Sequence, residues 1–236
     1  MMRFITILRS IRYAVKNAWK RYVQIKDRSI YGYIGFNTQV HPPMTIANPS
    51  NCYFSDHSKI REGLYLINTT GKFIVKKYTT ISINCLVVTG NHRPTVGIPE
   101  VLLDESHIND LETDIIVEES VWIGANCTLI AKSHIGRGAV IGANSLVNKE
   151  IPPYAVAVGS PAKIIASVFT LEQILEHEKI LYPENERFSR DYLEELFSTY
   201  YLGKKSIGVD TMDTQDKELL ERLKVKRGVK FRKHSN

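Results

Sequence analysis

The sequence predicts a mainly β protein: a parallel β-helix flanked by an N-terminal amphipathic helix and a C-terminal helical extension. Three observations carry this prediction. Blocks of six starting at Val117 read VEESVW, IGANCT, LIAKSH, IGRGAV, IGANSL and VNKEIP, so Val117, Ile123, Leu129, Ile135, Ile141 and Val147 head successive blocks. The same period occurs upstream at Ile34, Val40, Ile46 and Cys52, then in a new phase at Val75, Ile81 and Val87. Outside residues 30–166 the period disappears and helical spacing takes over. An amphipathic helix needs apolar residues near i, i+3, i+4 and i+7, and a half-buried strand alternates, so neither template produces aliphatics spaced by six.

Residues 1–29 open the chain. Phe4, Leu8, Ile11, Val15, Ala18, Trp19 and Tyr22 follow helical spacing, with Arg9, Arg12, Lys16, Lys20 and Arg21 mostly on other faces. The uncharged run Phe4 to Leu8 is too short for a signal-peptide core or a bilayer span, so export is not expected. The expected role is a helix docked on the first coil, capping an exposed sheet edge. The alternative is peripheral contact of residues 1–28 with an anionic membrane surface.

Residues 30–166 form the β-helix. Small or aliphatic residues, among them Val121, Cys127, Ser133, Ala139 and Ser145, take the fifth place of each block, and Gly124, Gly136 and Gly142 follow a head where the coil bends. Two interruptions are expected, at 58–72 and 88–116. The second is polar, carries GNHRP and is long for a connection inside a compact domain, which marks it as functional.

Residues 167–236 form the helical extension. Thr170 and Gln173 suit a capping box ahead of ILEHEKIL, Phe188, Ser189 and Leu193 suit a hydrophobic staple, and DKELLERLK reads as a third helix with Gly203 and Gly208 as breaks.

The 43% hydrophobic and 24% charged residues are those of a folded soluble domain, not a disordered chain. The net charge of +6 hides a division, with +7 in residues 1–28, +6 in residues 224–236 and −7 in the remainder. The high pI therefore belongs to the ends, and without a DNA- or RNA-binding motif no nucleic-acid partner is expected. The three cysteines form no CxxC pair and fall at inward places, which suits small core residues in a reducing, cytoplasmic compartment.

The stretch VWIGANCTLIAKSHIGRGAVIGANSLVNKEIPPYAVAVGSPAKII resembles the hexapeptide-repeat, left-handed parallel β-helix acyltransferases, particularly the galactoside, maltose and xenobiotic acetyltransferases. VWIG, the IGAxS block, the KxIPP turn and GxPAK occur in that family's order, and the resemblance covers roughly residues 60–165. It implies a left-handed coil, a homotrimer and acetyl-CoA as co-substrate in a groove between subunits. It also implies that His92, in VVTGNHRP, is the general base, a role suited to histidine because its pKa of about 6.5 lets it accept and return a proton near neutrality.

The same resemblance places Trp122 beside the pantetheine arm, Ala125 and Ala143 against its amides, and Lys149 and Lys163 near the phosphates. Lys163 stands where relatives often carry arginine, which keeps the charge but not bidentate contact. Asn84 and Asn91 are candidates for the oxyanion site and Asn68 for holding the acceptor; all three also read as ordinary turn or solvent-facing residues. No metal is expected, because none of the seven histidines forms the HxxxxH pair of β-helix carbonic anhydrases. The basic lead-in helix and long C-terminal extension depart from the sugar acetyltransferases. Together with the loop, they resemble enzymes that modify cell-surface glycans, so a sugar or glycan hydroxyl is the expected acceptor. The rival readings are an N-acyltransferase of a nucleotide-linked amino sugar and a non-catalytic trimeric scaffold.

Overall fold

The computed structural model describes residues 2–229, with side chains from residue 5 onward; residues 230–236, which hold much of the basic tail and His234, lie outside the described residues. Short strands stack coil upon coil into three faces. The first face runs from Tyr33–Ile34 to Glu150–Ile151, the second from Gln39–Val40 to Lys163–Ser167, and the third from Thr45–Ile46 to Leu146–Val147. Pairing along each face is parallel, except where Ala155–Val158 meets the closing strand Lys163–Ser167.

The block heads become three inward columns. Ile34, Phe54, Val75, Val117, Ile135 and Ile151 stack on the first face. Val40, Ile60, Ile81, Ile123, Ile141 and Ala157 stack on the second. Ile46, Leu66, Val87, Leu129 and Val147 stack on the third. All are buried except Ile34, Val40 and Ile46 of the outermost coil, which pack partly buried against the core. Burying each such aliphatic contributes about 1.5–3 kcal/mol.

The corners repeat as faithfully as the faces. Between the first and second faces, Asn37, His57, Tyr78, Ser120, Gly138 and Tyr154 take positive φ, and between the second and third faces Gly63, Asn84, Asn126 and Asn144 do the same. Asparagine tolerates this left-handed backbone better than most L-residues, which explains its recurrence at the second corner. Gly124 has another cause: a Cβ there would lie 2.6 Å from the Ala143 nitrogen of the next coil.

Two expectations about the repeat are corrected. Residues 58–67 do not interrupt the coils, because Phe54, Ile60 and Leu66 keep the six-residue step and pair in register on both sides; the interruption is confined to 68–72, where the step from Leu66 to Val75 lengthens. Cys52 is buried but stands two places ahead of the column, paired with Phe73. The 3-10 turn Pro49–Asn51 shifts the frame here, and an aromatic head conceals its recovery.

The ends differ. At the last coil, the helix Leu171–Leu181 begins with the expected capping box of Thr170 and Gln173, and the helix Arg190–Leu196 is capped by Ser189. Ile174, Leu193 and Leu196 enter the core. Tyr154 donates to Glu178 Oε1 at 2.6 Å, and Arg137 donates to Oε2 at 2.9 Å. Arg137 also stacks on Tyr182 and Phe188, so the buried carboxylate is both neutralised and packed.

At the first coil, Ile25, Tyr31 and Met44 close the core. The long helix Met2–Tyr22 touches the body near its C-terminal end, where the Met44 N–H donates to the Arg21 carbonyl at 3.2 Å. From Ile5 to Tyr22 every side chain except half-buried Asn17 is exposed. The expected docked cap is therefore corrected: sealing falls to the short segment after the helix, and the helix's apolar stripe stays uncovered. Thr214–Arg227, the expected third helix, returns to this same end, where Asn37 donates to the Arg227 carbonyl at 2.7 Å.

Candidate active site

The chain leaves the third face after Leu86–Val88 and rejoins the first at Ile115–Val117. The intervening excursion opens with Gly90–Asn91 paired antiparallel to Leu111–Glu112, and it contains the helix Glu100–Ser106. Glu112 anchors its root. One of its oxygens accepts from Thr89 Oγ1 and from the Gly71 N–H, both at 2.8 Å.

His92 lies just beyond the first strand of this ribbon, and Asp110 just before the second. Their side chains meet at 2.8 Å between Nδ1 and Oδ1. The other Asp110 oxygen meets Nδ1 of His107, also at 2.8 Å, and the two imidazoles stack with centroids 5.8 Å apart. His107 reaches this position because it ends the helix Glu100–Ser106 in a left-handed conformation, φ 55°. Asp104 Oδ1 stands 3.5 Å from His92 Nε2.

A carboxylate at Nδ1 selects the tautomer in which Nδ1 donates and Nε2 carries the free lone pair. The side chain of His92 is 37% exposed and that of Asp110 only 17%, so the orienting group is more enclosed than the group it orients. The hydrogen bond to Asp110, reinforced by the charges of Asp110, Asp104 and Glu100, raises the His92 pKa against a smaller opposing effect of burial. Asp110 is lowered in turn, first by its bond to His107 and then by His92. Donor atoms of His92, His107 and Asp110 lie within 4.8 Å of one another, the composition of a metal site, and carboxylate–imidazole bonds join them.

The other expected residues are more dispersed. Trp122 projects from the second face between Thr80 and Val140 and is 59% exposed. Ala125 and Ala143 stack on the corner between the second and third faces, with the Asn144 N–H donating to the Ala125 carbonyl at 2.9 Å. Lys149 is exposed on the opposite corner, between Leu146–Val147 and Glu150–Ile151, and Lys163 is exposed at the start of the closing strand. Asn91 neighbours His92 and is exposed. Asn84 is a left-handed corner residue, φ 57°.

Asn68 is corrected. It is 0% exposed, its Nδ2 donates to the Asn48 carbonyl at 2.8 Å, and its Oδ1 accepts from the Asn48 N–H at 3.0 Å. Both amide atoms are spent tying neighbouring coils together, leaving none for an acceptor. Asp110 and His107 are the residues that sequence reasoning missed. The run HIND sets a histidine and an aspartate three apart, but no spacing rule links either to His92 through the non-repeating loop, in which Asp110 stands 18 positions on.

Residues 114–149 match the family described as bacterial transferase hexapeptide (six repeats). A chloramphenicol acetyltransferase of Klebsiella aerogenes is 46% identical over 59 residues, 25% of this chain and only 28% of that relative's length. The galactoside O-acetyltransferase of Escherichia coli (strain K12) is 31% identical over 150 residues, covering 63% of this chain and 69% of the relative. A hexapeptide-repeat acetyltransferase from Vibrio cholerae O1 biovar eltor, solved with acetyl coenzyme A, shares the fold at a TM-score of 0.56 and 22% identity, over 68% of this chain and 90% of that one. Continuous similarity over more than two thirds of the galactoside enzyme, on coils whose heads, corners and parallel register repeat every six residues, establishes that this chain belongs to the hexapeptide-repeat acetyltransferases.

Proposed function

We propose that the protein transfers the acetyl group of acetyl-CoA to a hydroxyl of a sugar or glycan precursor, with His92 as general base. The observation that carries this reading is the His92–Asp110 hydrogen bond, because it leaves Nε2 as the proton acceptor. Neutral His92 takes the hydroxyl proton as the oxygen attacks the thioester carbonyl, and the carbonyl π electrons move to oxygen. Collapse of that tetrahedral intermediate re-forms the carbonyl and breaks the carbon–sulfur bond. The imidazolium then returns its proton to the departing thiolate, and no covalent enzyme intermediate is needed.

In the same reading, Trp122 flanks the pantetheine, Ala125 and Ala143 let it approach the coils, and Lys149 and Lys163 face its phosphates. Asn91 is the amide best placed to serve the oxyanion or the acceptor beside His92. The working assembly is a homotrimer of left-handed coils, and an apolar outer surface supports it. Tyr65, Leu86, Thr128 and Leu146, with Ile67, Val88 and Ile130, form outward columns on the third face that are apolar except at Thr128, and Tyr65 and Ile67 are 49% and 46% exposed. Parallel sheets are normally covered on both sides. Packing copies through this face also draws the Ala125–Ala143 edge of one chain towards the Lys149 edge of the next, completing a groove that a single chain divides. Residues 1–29, 30–166 and 167–236 are the lead-in, catalytic body and extension of this enzyme. Its place is the cytoplasm, where acetyl-CoA is available and thiols such as those of Cys52, Cys85 and Cys127 stay reduced.

Calorimetric titration with acetyl-CoA, followed by thiol release in the presence of galactosides and maltose as probe acceptors, tests the reading. Binding weakened several-fold by Lys149→Ala or Lys163→Ala, with thiol release abolished in His92→Ala, is expected. Failure of millimolar acetyl-CoA to bind, or full thiol release by His92→Ala, would overturn it.

A further inference from the structure

We infer that the first-coil end of the molecule docks on an anionic lipid bilayer, with the helix Met2–Tyr22 lying along the interface. Three independent features meet there. Leu8, Ile11, Val15 and Trp19 form a continuous apolar stripe on that helix, each 51–63% exposed, on the side away from the groove that Tyr13, Asn17, Lys20 and Arg21 line with Met44, Thr45 and Ile46. Arg12 and Lys16 border the stripe, Arg9, Lys20 and Arg21 add charge on the rest of the helix, and the helix contains no acidic residue. The last turn of Thr214–Arg227, with Lys224, Lys226 and Arg227, is returned to the same end through the Asn37–Arg227 contact.

Charge decides which surface covers the stripe. A second copy of the helix would bring six cations against six with no carboxylate between them, whereas an anionic headgroup layer neutralises them while its acyl boundary takes up the apolar residues. An uncovered stripe of this size in water is otherwise an association liability. The tryptophan suits the arrangement, since an indole favours the boundary between headgroups and acyl chains. Among the described residues no helix is long and apolar enough to cross a membrane, so the contact is peripheral.

Flotation of the full chain tests the inference with two vesicle types: phosphatidylcholine alone, and phosphatidylcholine with phosphatidylglycerol. Binding is expected only to the anionic vesicles, falling as salt rises from about 50 to 300 mM, with the Trp19 emission moving to the blue. Ile11→Glu combined with Val15→Glu abolishes binding by at least about ten-fold in lipid concentration, roughly 1.4 kcal/mol, while the thermal midpoint and sedimentation coefficient stay those of the parent. No flotation with anionic vesicles at 50 mM salt overturns the proposal, as does equal flotation by the double variant. A changed oligomeric state in the double variant also overturns it, since the stripe would then be subunit packing.

Discussion

The coils and the excursion at residues 88–116 are parts of one chain held by opposite means. In a coil, each inward residue is fixed by equivalents one turn above and below; Ile123 pairs with Ile81 on one side and Ile141 on the other. Between residues 90 and 114, Leu103 is the single buried side chain, and order comes from a few polar contacts, Glu112 at the root and Asp110 at the tip. The repeat supplies rigidity through redundancy, whereas the excursion, which carries the proposed base, relies on single contacts that have no substitute. Stability and turnover should therefore respond to different mutations.

The largest effect expected is on turnover alone. His92→Ala removes the base and lowers kcat by about 10²–10⁴-fold while leaving the unfolding midpoint unchanged. A matching loss of stability would show that the excursion is part of the body. Ile123→Ala is its mirror image, costing about 2–5 kcal/mol in denaturant unfolding with kcat of the folded fraction retained. Asp110→Asn tests the contact between the two regimes. It should lower kcat by about 10²-fold, the lower end of the general acid–base range.

It should also move the acidic limb of the kcat/KM profile. Asp110 raises the pKa of His92, and the neutral imidazole is the active form, so parental activity is lost as pH falls through that raised value. Without the carboxylate the pKa drops and the limb shifts to lower pH; an unmoved limb would deny the pair its role. The smallest effect belongs to a corner. Asn126→Ala at φ 57° should cost about 1 kcal/mol and Asn126→Gly close to nothing, read from the shift in urea midpoint.

These contrasts also explain what was legible in the sequence. A column such as Val117, Ile135 and Ile151 could be read because every coil imposes the same demand on the same place. The frame was lost where Phe54 and Ile60 follow a three-residue turn and where residues 68–72 lengthen the next step, since an aromatic head and irregular steps hide a period tuned to aliphatics. The capping box at Thr170 is a local device and could be read from four residues. His92 was singled out through family order, while Asp110 and His107, which meet it in space, were not, because their approach depends on how the helix Glu100–Ser106 ends and how the ribbon closes. Asn68 was misassigned because a buried clamp and an exposed ligand look alike in a string of letters. The uncovered stripe of the first helix could be seen as a pattern, but its exposure could not.

The root of the excursion has one more consequence. The Thr113 N–H donates to the Thr89 carbonyl at 3.0 Å, so the chain leaves and re-enters the coils within a single hydrogen bond. Ile115–Val117 then resumes pairing with Phe73–Val75 as though nothing had intervened. The 23 residues from 90 to 112 are thus a cartridge on a fixed socket, of which the body senses only the two ends. Replacing the whole insert would therefore leave every coil with its present neighbours, so the frame sets no limit on what the insert contains.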